Sequence, residues 1–443
     1  MRKFVAAVLL GALLVPGPVW AQAKSGRGLG YEQLNLFTEA YERIRQDAVE
    51  PVGRAKLIAA AIAGMLSGLD PRSSYISEAA LKAMQAPPDD DQLSLGLVMT
   101  IDNGQLKVVS PRDGSPAAQA GIEPGDLIVA IDQEPTFELT LAEAEQKLRG
   151  SAGGEVELTL RRGKDSPATI KIKRAAYKVH TVTARLEAGN IGYLRIAGFN
   201  GTTPQALTGA IQDLRQHTGG KLIGFILDLR NNPGGSFDAA VGVADTFIDK
   251  GDIVVVKGRK PGSVKRIAAT PGDAAQGLPV VALINGGTAR EAELVAAALQ
   301  DNRRAVLLGT KSFGESSIET LIPLPGNGAI RLTTARFATP TGRRIQGNGI
   351  DPDLTVMPFK LAKLASSERL HEADLRGALK NTDPVNPNAG EQAAKPADGV
   401  PAPSATGATL AVASGDIGSH SDEQLGEAAD VLRGLALLSG RAE

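Results

Sequence analysis

From residue 223 to residue 229 the chain reads Ile-Gly-Phe-Ile-Leu-Asp-Leu, an apolar run that closes on Asp228-Leu229-Arg230. A strand with one wet face alternates apolar and polar residues, so a run without alternation is a buried strand. Val280 to Ile284 repeats the pattern, and between Tyr177 and Pro358 strand-like and helix-like stretches alternate. Glu291 to Gln300 is the most apolar of the helical ones. The 443 residues suffice for two or three domains at about 100–200 residues each, and 42% apolar composition permits a sizeable core. The expected class is α+β and multidomain.

Composition also excludes chemistry. A net charge of -1 gives no reason to expect nucleic acid or an anionic membrane as partner. With no cysteine, structural disulfides and thiolate catalysis are out. His180, His217, His371 and His420 are scattered and match no metal-ligand spacing, so no metal and no cofactor is expected.

The ends of the chain differ from its middle. Arg2 and Lys3 precede an apolar run, Phe4 to Val15, which is too short to span a ~30 Å hydrocarbon core. Pro16 and Pro18 end it, and Ala21-Gln22-Ala23 has small residues at both recognition positions of a cleavage site. This predicts a secretory signal over 1–23, a mature chain from near Lys24, and delivery to the periplasm with no stable membrane anchor afterwards. An uncleaved anchor is the alternative. Leu34, Phe37, Tyr41 and Ile44 recur at helical spacing, and a second helix is expected from Gly53 to Ser67, broken by Leu69-Asp70-Pro71. The N-terminal helical region is placed at 31–85, with a polar hinge at 86–92. Residues 359–381 read as a C-terminal helical extension. Residues 382–420, rich in Pro, Ala, Gly, Ser and Asn, read as a disordered linker, and 421–443 as a closing helix from Asp422 to Leu438.

Residues 93–174 are mostly strand, with an amphipathic helix from Leu139 to Arg149. Ser94-Leu95-Gly96-Leu97 precedes a strand, and Gly114-Ser115-Pro116-Ala117 and Ala120-Gly121-Ile122-Glu123-Pro124-Gly125-Asp126 follow. A glycine-containing loop can present backbone N–H groups to a terminal carboxylate while the strand edge behind it pairs with an extended peptide. The pattern resembles a PDZ domain. That resemblance implies a groove for peptide or protein C-termini, with Leu95, Gly96, Leu97 and Leu148 around the last side chain.

Residues 175–358 are similar to the core of carboxyl-terminal processing peptidases, serine proteases on a crotonase-like ββα-spiral. The likeness rests on Ile191 to Ile196, Leu227 to Gly235, Pro279 to Gly287, Ser312-Phe313-Gly314, Leu332 to Arg336, Thr339 to Arg343 and Gly349 to Asp353. It implies a serine nucleophile in a Ser-Ala-Ser-Ala-Ser-Glu segment and a neutral lysine base in Phe-Gly-Lys-Gly-x-Val-Gln, supported by the glutamine. Without gaps, the serine falls on Arg290, the lysine on Glu315 and the glutamine on Glu319. A guanidinium with a pKa above ~12 is no nucleophile, and a carboxylate is no amine base.

The resemblance therefore implies a degenerate site and a non-catalytic protein that binds peptide C-termini or regulates a partner. Arg290 is expected to donate a hydrogen bond to Glu315, with Glu319 as a further partner. The family's oxyanion hole falls on Gly234 or Gly235 and the amide of Glu291, where it would bind a carbonyl or carboxylate. Family members assemble through terminal helices, which implies a homodimer or a heterodimer with an active paralogue. Two other readings stay open. One is an active serine endopeptidase with a relocated dyad such as Thr288 and Lys311, although four residues, or ~13 Å of strand, separate Lys311 from the lysine position. The other is a small-ligand carrier.

Overall fold

A computed structural model describes residues 27–85, 93–137, 139–260, 262–358, 417–419 and 422–438. The expected signal (1–23), the hinge (86–92), the helical extension (359–381) and the linker apart from 417–419 lie outside these residues. The described chain divides after Gly64 into two units. The first carries α1 (Arg27–Asp47) and most of α2 (Arg54–Ser67). Leu34, Phe37 and Ile44, on one stripe of α1, are exposed. No helix among the described residues is long and apolar enough to cross a membrane.

The second unit begins with the end of α2, β1 (Ser74–Ile76) and α3 (Glu78–Gln85). An antiparallel sheet domain follows: β2 (Leu97–Asp102), β3 (Gln105–Pro111), α4 (Pro116–Gln119), β4 (Leu127–Ile131), β5 (Glu134–Pro135), α5 (Leu141–Leu148), β6 (Glu155–Arg161) and β7 (Ala168–Lys173). Its strand order is β2-β3-β4-β6-β7, with β5 on β4, so β2 is an edge strand. The alternation of β6 points Val156, Leu158 and Leu160 into a core shared with Leu106, Val108 and Ile128. Thr140 caps α5 reciprocally with Glu143, which fixes where the helix starts.

The remaining elements are β8 (Val182–Glu187), β9 (Ile191–Ile196), α6 (Thr203–His217), β10 (Gly224–Asp228), α7 (Phe237–Asp245), β11 (Asp252–Gly258), β12 (Val264–Ala268), β13 (Val280–Ile284), α8 (Glu291–Asp301), β14 (Ala305–Gly309), β15 (Ser317–Pro323), β16 (Ala329–Ala338), β17 (Leu354–Thr355) and α9 (Glu423–Leu438). One sheet runs β17-β14-β13-β10-β9-β8, parallel except for β8. The unbroken apolar run has a direct cause here. Phe225 and Leu227 point to the cluster with α6, α7 and α8, while Ile226 points to the cluster with α9, so both faces of β10 are covered. The second sheet is β1-β16-β11-β12 with β15 on β16. α8 is buried from Glu291 to Leu299, and its alanines allow close packing.

Candidate functional site

Two turns at the C-terminal ends of the parallel strands build the site. β10 runs out into Asn231-Asn232-Pro233-Gly234-Gly235, and β13 into the loop 285–290 that starts α8. Asn285 ties them: its Oδ1 accepts from the Asn231 N–H at 2.9 Å, and its Nδ2 donates to Asn231 Oδ1 at 2.8 Å. Arg290 is the N-cap of α8 with φ 54° and ψ -118°. A non-glycine residue held there stores backbone strain on the order of 1–3 kcal/mol, and this sharp turn aims its side chain out of the helix start.

Glu293, one turn into α8, fastens the next loop. Its carboxylate accepts from the Arg290 N–H (3.0 Å), Ser312 Oγ (2.5 Å), the Gly314 N–H (2.7 Å) and the Glu315 N–H (2.8 Å). Burial pushes its pKa up to about 7 against the pull of those donors. The loop is thereby set so that Glu315 and, at the start of β15, Glu319 face Arg290.

The expected pairing is corrected in its detail. Arg290 Nη2 donates to Glu319 Oε2 at 3.0 Å, whereas Glu315 Oε1 lies 3.7 Å from Arg290 Nε, too far for a hydrogen bond. Glu315 is claimed from elsewhere: Arg72 Nη2 donates to its Oε2 at 2.6 Å. Arg72 is held in place because Asp70 Oδ1 accepts from the Arg72 and Ser73 N–H groups at 2.8 Å each. Burial works against the charge on Arg290, but Glu291, Glu315 and Glu319 outweigh it and raise its pKa. Two arginines and three glutamates thus occupy the position where the resemblance places a hydroxyl and an amine.

The expected oxyanion donors are not free. The Gly234 N–H donates to Asn232 Oδ1 at 2.9 Å, and the Gly235 N–H donates to Glu291 Oε2 at 2.9 Å. Burial raises the pKa of Glu291, with Arg290 and the Gly235 N–H opposing it. The alternative dyad does not assemble either. Thr288 Oγ1 donates to the Leu229 carbonyl at 2.9 Å, and Lys311 Nζ lies 3.0 Å from Asp351 Oδ1. Ser317 Oγ donates to Glu319 Oε1 at 2.6 Å. Among the described residues, no cluster of His, Asp or Glu could hold a metal ion.

In the sheet domain, Leu95 and Leu148 are 1% and 3% exposed and belong to its core. Gly96 packs on Ser115, and Leu97 is half-buried at the start of the edge strand β2. This domain touches the site through contacts that sequence reasoning missed. Ser110 Oγ donates to the Asn231 carbonyl at 2.8 Å, and Arg195 Nε and Nη2 grip Asp113 at 2.6 and 2.7 Å.

Comparisons with known proteins agree with this architecture. Residues 190–356 match the model of peptidase family S41, and residues 107–162 match a PDZ domain. The chain is similar to a carboxy-terminal-processing protease of Bartonella bacilliformis, at 43% identity over 400 residues, 89% of this chain and 91% of that one. It is also similar to the carboxy-terminal processing protease CtpA of Bacillus subtilis, at 32% identity over 81% of this chain and 77% of that one. Among solved structures, a photosystem II D1 C-terminal processing protease superposes with a TM-score of 0.64 at 28% identity, over 73% of this chain and 93% of that one.

Proposed function

The chain belongs to the carboxy-terminal processing proteases of peptidase family S41, and from that premise we propose that it is a non-catalytic member that binds peptide C-termini. One observation carries the reading: the strained cap of α8 presents the guanidinium of Arg290, ion-paired to carboxylates, where the family's register puts the attacking hydroxyl. A guanidinium with a pKa above ~12 has no lone pair to offer. Glu315 cannot replace a lysine base, because a carboxylate held by Arg72 is a far weaker acceptor for a hydroxyl proton than a neutral amine. The residues of the site hold one another through ion pairs rather than waiting for a substrate.

Binding would use the edge strand β2, which a peptide extends as an added strand, with its C-terminus at the loop before Leu97. The names of the relatives favour a second reading, an active peptidase. That reading needs a hydroxyl beside an amine, and Thr288 and Lys311 are both engaged with other partners. The apolar signal-like start supports export to the periplasm. The exposed stripe of α1 supports assembly with a second copy or an active paralogue.

The binding half of the proposal is tested by titrating full-length protein with a fluorescent decapeptide bearing a free carboxyl terminus and with its amide. Saturable binding of the acid, weakened at least ~tenfold for the amide and abolished by Leu97→Asp, is expected. Equal binding of acid and amide overturns C-terminal recognition.

A further inference from the structure

The hairpin of β11 and β12 concentrates positive charge far from the ion pairs described above. Residues 253–272 hold Lys257, Arg259, Lys260, Lys265 and Arg266 and no acidic residue. All five are exposed, and of them only Arg266 has an ion pair among the described residues, with Asp252. Cations on an edge strand have a plain use, because they keep it from pairing with another chain. That accounts for Lys265 and Arg266 on β12, the last strand of its sheet. It does not account for Lys257, which lies on interior β11 directly opposite Arg336 of interior β16. Like charges facing each other across a ladder, roughly 5 Å apart, destabilise the pair. Arg336 is likewise exposed and without an ion pair among the described residues. On the other side of Lys257 the register places Val264, which is 56% exposed. These three share the outer face of the sheet, whereas Val256 and Phe337, one residue along, turn to the core.

We propose that this face, with the Arg259-Lys260 tip beside it, docks the chain reversibly on an anionic lipid bilayer. The net charge of -1 gives no hint of it, because it sums over the whole molecule rather than over one face. Anionic headgroups attract each cation that reaches the surface, and an apolar residue among the cations enters the headgroup layer. An acidic polypeptide would satisfy the charge as well. The exposed Val264 favours lipid, since an apolar side chain adds to binding only where there is an apolar layer to enter. No helix among the described residues is long and apolar enough to cross a membrane, so docking through this face is peripheral and sensitive to salt. It would hold the chain where the C-termini of membrane-anchored proteins emerge. The inference depends neither on peptide binding nor on the absence of catalysis.

The test is co-sedimentation of the full chain with vesicles of phosphatidylcholine alone and of phosphatidylcholine with about one-third phosphatidylglycerol. Every variant keeps residues 1–23, so whatever the apolar start contributes cancels between them. The wild type is expected to bind the anionic vesicles more tightly than the neutral ones. It should leave them as salt rises from about 0.1 M to about 1 M and the screening length falls from ~10 to ~3 Å. Lys257→Gln with Arg336→Gln should weaken the anionic binding at least ~tenfold, since each cation contributes about fivefold. The same double variant should melt no lower than the wild type, because it relieves a repulsion. A drop in its melting point would assign the pair to the fold, and Arg259→Gln with Lys260→Gln, at the exposed tip, then decides by the same readout. The proposal is overturned if the deciding variant sediments like the wild type, or if neutral vesicles bind the wild type as well as anionic ones. It is equally overturned if poly-glutamate binds the wild type while anionic vesicles do not.

Discussion

Two arginine–carboxylate clusters, around Arg230 and around Arg290, are built to different standards. Arg230 is fully buried, and its guanidinium is saturated: Nε and Nη2 donate to Asp228 at 3.0 and 2.6 Å, Nη1 and Nη2 to Asp422 at 2.8 and 2.5 Å, and Nη1 also to Gln424 at 3.0 Å. Burial works against the charge on Asp228, but Arg230 and Arg195 outweigh it and hold its pKa down at about 2. Arg290, by contrast, makes one side-chain hydrogen bond and two loose contacts of 3.7 and 3.8 Å from an unpartnered Nε. A saturated ion cluster is a staple, here joining α9 to the sheet. An unsaturated one, on a strained backbone, leaves hydrogen-bonding capacity unused.

That contrast orders the effects of substitution. Arg230→Met leaves Asp422 buried without its arginine and Asp228 with only Arg195 as a cation, and should cost about 3–5 kcal/mol, seen as a large fall in Tm with loss of amide-exchange protection in α9. Protection kept in α9 would mean that Arg230 does not anchor the helix. Arg290→Ala should cost less, about 1–3 kcal/mol, from leaving Glu319 and Glu315 short of a cation. Arg290→Gly loses the same ion pairs but relieves the left-handed φ, so it should melt above Arg290→Ala. Equal melting of the two would argue against backbone strain at the cap.

The smallest effect concerns Glu291. Its folded-state pKa is raised above the unfolded value of 4.5, so the folded chain binds more protons in the interval between the two. Stability contributed by the neutral form is present at low pH and lost as pH rises through the folded value. Glu291→Gln should therefore melt above the wild type at pH 8, and the two should converge as pH falls to 4. A gap that widens on acidification would reverse the sign.

The elements were legible where local pattern reflects burial. The run at residues 223–229 and the helix over 291–300 come out as β10 and α8 because both are covered on nearly every side. The position of Arg290 at a helix start was readable from the anchor Glu293, whose carboxylate ties that start to the following loop. What escaped the sequence is long-range. Arg72 lies 243 positions from Glu315, and nothing local to Pro71 says that the two side chains meet. No local signal said that the Glu291 side chain would turn back onto Gly235 rather than away, since that depends on how two turns from different strands meet.

Digestion of β-casein by the pure full-length protein tests the central claim most directly. With a guanidinium at the cap of α8, casein should remain intact over a day at an equimolar ratio. Cleavage that is lost in Thr288→Ala or in Lys311→Ala would show that a displaced hydroxyl and amine do the work, and would contradict the non-catalytic reading.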